Sequence, residues 1–292
     1  MALLIAFAMS RGKRLCSLSR RCWMRRFVHV RFGGERQRAM KRRRLARVLV
    51  AMAATMMLLA VGVGSAHAVF PNFSGCTVTD VTRETCIDIQ NRSGNLNIKG
   101  FNVPLGESLE IRGKLSDDGT GRPVFSGPTG TTGFFSTPVP VPGGLLGIEW
   151  LPGNSVLALA ELVGPSSGII IDPSTLTIRM PIRVRLENLL LGMSCQIGTN
   201  SNPVPLTLIA GTTSPPPPNG PISGRRGTVS QSERAIMISG NVNVENSFAV
   251  PGATSCGFGL GLINTLVNLK LGLPSAAGNN SMEIVNDVAI GH

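Results

Sequence analysis

From Thr175 to Glu187 apolar and polar residues alternate with a period of two. Leu176, Ile178, Met180, Ile182, Val184 and Leu186 fall on one face, and Thr177, Arg179, Arg183, Arg185 and Glu187 on the other. Side chains of an extended chain point alternately to opposite sides, so the pattern predicts a long strand with one buried face. Ile236, Ile238, Val242 and Val244 predict a second strand, with Gly240 in the same register as a bulge or close-packing point. Shorter alternating runs predict strands over 86–90, 95–101, 108–115, 147–151, 155–162, 205–209 and 282–290. Between them stand Asp117-Asp118-Gly119, Pro142-Gly143-Gly144, Pro152-Gly153-Asn154 and Pro251-Gly252, where proline fixes φ and glycine supplies positive φ for a tight turn. Many short strands separated by such turns predict an all-β fold, an antiparallel β-sandwich or barrel-like domain.

One segment breaks the period. Leu262, Ile263, Leu266, Val267 and Leu269 gather at helical spacing, Asn264, Thr265 and Asn268 lie opposite, and Gly272 and Pro274 supply the stop. This predicts a single C-terminal amphipathic helix, packed by its leucines as a cap on the sandwich or as a lid over an apolar ligand cavity. It is too short and too polar to span a membrane. Residues 212–224, with Pro215-Pro216-Pro217-Pro218, predict an extended connector crossing from one sheet to the other.

Charge divides the chain. Fifteen of its 28 Lys and Arg residues lie between Arg11 and Arg47 beside one acid, Glu35, while the rest holds 13 basic and 15 acidic residues. Lys41-Arg42-Arg43-Arg44 precedes an uncharged stretch over 48–64, which ends in Ser65-Ala66-His67-Ala68. Basic, apolar and Ala-x-Ala segments in that order predict a signal peptide over 40–68, cleaved after Ala68. Residues 1–39 then form an extended or non-native leader, and 69–292 a single β-rich secreted domain. Nucleic acid is not indicated as a partner, because that domain is close to neutral and lacks interleaved aromatics.

After Ala68 come four cysteines, Cys76, Cys86, Cys195 and Cys256, an even number that fits two disulfides in an oxidising compartment. Of the three pairings, Cys76 with Cys86 and Cys195 with Cys256 is favoured. The first staples a local loop, and the second ties two distant strands. No CxxC spacing and no nearby histidine supports a zinc site.

Several runs in the domain carry a resemblance. Cys86-Ile87-Asp88-Ile89-Gln90, Asn97-Ile98-Lys99-Gly100-Phe101-Asn102-Val103-Pro104-Leu105-Gly106, Cys195-Gln196-Ile197-Gly198-Thr199-Asn200 and Pro274-Ser275-Ala276-Ala277-Gly278-Asn279-Asn280 resemble an uncharacterised family of exported proteins from high-GC Gram-positive (actinobacterial) bacteria. The likeness covers most of residues 76–292. It implies a cell-envelope or extracellular address and no activity.

Candidate chemistry is sparse. The three histidines are His29 and His67, both ahead of the domain, and the terminal His292, so no Ser-His-Asp or Cys-His pair is available within it. Glu149 and Glu161 are the candidate carboxylates for glycoside hydrolysis, with solvent-facing strand positions as the plainer assignment. Asp117 and Asp118 suit a turn better than a calcium loop. Arg179, Arg183 and Arg185 form an outward stripe that would suit an anionic ligand. No cofactor or metal is expected. The expected function is an exported, non-enzymatic cell-envelope or extracellular protein, structural or binding, whose partner is an envelope polymer or an apolar ligand. A carboxylate-dependent hydrolase is the alternative. An outer-layer pore is a third class, weakened because the domain has one Trp, Trp150, and no Tyr for aromatic girdles.

Overall fold

A computed structural model describes residues 70–147, 153–257 and 261–292, all within one compact unit, His67–His292. The signal peptide expected over 40–68, the leader before it, and Ile148 to Leu151 with Glu149 and Trp150 lie outside the described residues.

The protein is mostly β, as expected, with its strands in two antiparallel sheets. The first sheet holds β1 (Glu84–Ile98), β2 (Phe101–Pro104), β3 (Leu109–Asp117), β4 (Pro123–Ser126), β5 (Phe134–Ser136), β12 (Thr228–Gln231), β13 (Ala235–Glu245) and β15 (Asn280–Gly291). The second holds β6 (Val139–Pro140), β7 (Leu157–Leu162), β8 (Ile170–Asp172), β9 (Thr177–Glu187), β10 (Gln196–Ile197), β11 (Val204–Leu208) and β14 (Ala253–Thr254). The sheets face each other across a core that includes Ile87, Ile89, Ile111 and Ile284 from the first and Ile178, Met180, Ile182 and Leu206 from the second. Burial along β9 follows the alternation read in its sequence.

Two strands depart from the simple period. The run over 86–90 joins the first part of the run over 95–101 in one strand, because β1 continues through the polar residues between them by means of a bulge at Asn91/Ser93; it ends at Ile98, and Lys99-Gly100 turn the chain into β2. In β13, Gly240 has φ 69° and the register shifts between Ile238 and Asn241. The extra residue reverses the parity, so Ile236 and Ile238 share a face with Asn241 and Asn243 rather than with Val242 and Val244. Both bulges flank β15, whose Asp287 serves each of them: its carboxylate accepts from Arg92 Nε at 2.7 Å and from Gly240 N at 2.8 Å.

The proline-containing connector after β11 runs from the second sheet to the first, as expected. It closes one seam between them, since Ile209 and Val244 exchange two backbone hydrogen bonds at 3.0 and 2.9 Å, and Arg225 and Val242 exchange two more. Both disulfides form in the favoured pairing, Cys76–Cys86 and Cys195–Cys256.

The helix, α1 (Gly261–Leu271), is present but turned over relative to expectation. Val267 and Leu271 are buried, whereas Leu262, Leu266 and Leu269 are exposed. Its asparagines face inward: Asn268 Oδ1 accepts from Ala253 N at 2.6 Å and Asn264 Oδ1 from Cys256 N at 2.8 Å. The two-residue strand β14 and Cys256 after it leave backbone groups unpaired, and asparagines four residues apart on one helix face satisfy them. No helix among the described residues is long and apolar enough to cross a membrane.

Candidate functional site

Along β7 the inward positions are Ala158, Ala160 and Leu162, opposite Leu186, Val184 and Ile182 of β9. Two alanines where neighbouring strands carry Ile, Val, Leu or Met leave the sheets incompletely filled. A cavity of about 100 Å³ results. Ala158, Ala160, Met180, Leu206, Phe248 and Met282 are among the apolar side chains that line it, and Leu271 of α1 contributes from the helix. Thr137, also on its wall, is exposed and lies between β5 and β6. Among the described residues no charged one lines it. Lys270, beside Leu271, holds its Nζ 5.9 Å from the centroid of the Phe101 ring, another wall residue, and burial pulls its pKa below the ordinary lysine value.

The interior also carries a group of amides. Asn91, Asn286 and Asn241 lie side by side across β1, β15 and β13, on the row where both bulges fall. Asn241 Nδ2 donates to Asn243 Oδ1 at 2.6 Å, Asn286 Nδ2 donates to the same oxygen at 2.8 Å, and Asn243 Nδ2 donates to the Leu176 carbonyl at 2.7 Å. Leu176 has φ 53° in the β8–β9 turn, so this bond holds a left-handed residue of the second sheet against the first.

On the outer face of the first sheet Asp88 is fully buried. The segment after Phe70 covers it: Asn72 N donates to Asp88 Oδ2 at 2.6 Å, and Arg92 lies 5.3 Å from the centroid of the Phe70 ring. Burial raises the Asp88 carboxyl from 3.8 to about 6, and the neighbouring Glu110 adds to the rise against the Asn72 and Gln90 bonds. Between those two values the folded protein keeps a proton that the unfolded chain has released. Stability from this group therefore falls as pH rises from about 4 to about 6 and is level above. A fall on the order of 2 kcal/mol is expected, read from urea unfolding across the range, and Asp88→Asn should flatten it. Glu84 works in the opposite sense at lower pH. The Lys114 ammonium, then Thr79, hold its carboxyl at about 2, so its stabilisation is present above 4.5 and is lost as pH falls toward 2.

The residues singled out in the sequence fall elsewhere. Arg183 and Arg185 are on the outer face of the second sheet, both paired with Glu161 at 2.8 and 3.3 Å, and Arg185 also reaches Glu187 at 3.1 Å. Arg179 is exposed on the same strand. Glu161 thus has each oxygen facing a guanidinium, and Glu149 is outside the described residues. Asp117 and Asp118 accept from backbone amides of their own loop, including Gly119 N at 2.8 Å and Thr120 N at 2.7 Å. Among the described residues no group of three or more His, Cys, Asp or Glu could hold a metal ion. The cavity walls Ala158 and Ala160 went unnoticed in the sequence, although an Ala-x-Ala pair on the inward phase of an apolar strand is the mark such a cavity leaves. No family model, curated protein or solved structure matches the chain.

Proposed function

We propose that the protein is an exported, non-enzymatic binding protein that holds a small apolar ligand between its two sheets. The observation that carries this is the cavity: about 100 Å³, walled almost wholly by hydrocarbon, with the exposed Thr137 among its lining residues. A hydrocarbon-lined void of that volume forfeits roughly 2 kcal/mol of packing, which an apolar occupant restores. Apolar walls with few polar groups are the usual form of a small-molecule site. Two disulfides agree with an oxidising compartment, and export is assigned to the segment over 40–68. The hydrolase alternative is weakened because Glu161 is held by two arginines on the outer face and, among the described residues, no carboxylate lines the cavity.

The test uses methionine methyl resonances. Met180 and Met282 line the cavity, so a bound medium-chain apolar ligand should shift both. Ala160→Phe fills the space from β7. It should abolish those shifts while changing stability by no more than about 1–2 kcal/mol. Undiminished shifts in a folded Ala160→Phe protein would place the ligand elsewhere.

A further inference from the structure

Ser108 stands in the turn between β2 and β3 and lines the cavity at 6% exposure. Its Oγ is buried and, among the described residues, has no hydrogen-bond partner, although a serine hydroxyl can donate one bond and accept two. The turn that carries it is firmly held. Thr137 N donates to the Ser108 carbonyl at 2.9 Å, Leu109 N to Asn91 Oδ1 at 2.7 Å, and Asn91 Nδ2 to the Gly106 carbonyl at 2.5 Å. Asn91 sits at the bulge of β1, past the last β3 pairing at Gln90 and before the β2 pairing begins at Asn95. In that gap its amide supplies the donor and acceptor that an adjacent strand would otherwise offer. A buried hydroxyl without a partner is destabilising, and folded proteins keep few of them; rotation about χ1 would turn that of Ser108 toward the cavity its residue lines.

We infer that Ser108 is the polar anchor of this cavity, and that the ligand is a medium-chain aliphatic molecule bearing one uncharged oxygen, as in an alcohol, ester or ketone. The inference rests on the reading of the cavity as a ligand site. At roughly 10–15 Å³ for each water-sized group, the volume suits about seven to ten non-hydrogen atoms. An uncharged head follows from the walls, because among the described residues no Lys, Arg or His lines the cavity and an ionised group inside would lose its hydration without a counter-ion. The hydroxyl donates to a carbonyl or ether oxygen and accepts from an alcohol.

The experiment titrates wild-type and Ser108→Ala proteins with n-octane, octan-1-ol and octanoate, read from the Met180 and Met282 methyl shifts. Ser108→Ala should weaken octan-1-ol binding about five- to tenfold and leave n-octane binding unchanged, which also reports that the variant is folded. Octanoate should bind more weakly than octan-1-ol to the wild type. Equal effects of the substitution on octane and octanol, or tightest binding of octanoate, would overturn the anchor while leaving the cavity as a ligand site. Absence of shifts with every probe would overturn both.

Discussion

Removing the Cys195–Cys256 disulfide as the double alanine variant is expected to lower the unfolding free energy by about 4 kcal/mol, against about 3 kcal/mol for Cys76–Cys86. The difference comes from the unfolded chain. The first bond spans 61 residues and the second 10, and a longer closed loop restricts more unfolded conformations. The longer link also has more to hold in the folded state. Both its cysteines are almost fully buried, and it fixes the 188–194 loop to the chain entering α1, where Gly257 N donates to the Leu191 carbonyl at 2.8 Å. Guanidinium unfolding of the two double variants measures the order. A larger loss on removing Cys76–Cys86 would contradict it.

Asn243→Ala should cost about 3–5 kcal/mol, far more than a surface Asn to Ala change. Asn243 makes three buried hydrogen bonds, to Asn241, Asn286 and the Leu176 carbonyl, and it is wholly buried. Truncation leaves the amides of Asn241 and Asn286 and the Leu176 carbonyl short of partners, each with its own desolvation penalty, and it opens space beside them. Loss of the Leu176 contact also frees the left-handed turn between β8 and β9. Unfolding curves of the variant measure this, and a cost under about 1 kcal/mol would mean that the amide group contributes little.

The longer strands were legible because a half-buried strand writes burial into its sequence with period two, as β9 does from Ile178 to Leu186, whereas short strands such as β8, β10 and β14 are too brief to show a period. The disulfide pairing was legible from spacing. What the pattern does not encode is the partner across the sheet. Gly240 was recognised as a bulge point, yet the parity reversal that brings Asn241 and Asn243 inside depends on register with β15. Helical spacing located α1, but the choice between its two faces was made by the backbone of β14 and of Cys256 just after it, which bind Asn268 and Asn264 and send Leu262, Leu266 and Leu269 to solvent. The site was the least legible part. A serine ahead of a strand and two alanines within one are unremarkable until Asn91, Met180 and Met282 are brought around them from distant segments.

The central claim is that the space between the sheets is a ligand site, and a crystal structure of the protein with octan-1-ol tests it most directly. Electron density for the chain between Ala158, Ala160, Met180 and Met282, with its oxygen at Ser108, is the predicted result. Density only against the exposed Leu262, Leu266 and Leu269 of α1, with the inter-sheet cavity unchanged, would contradict it.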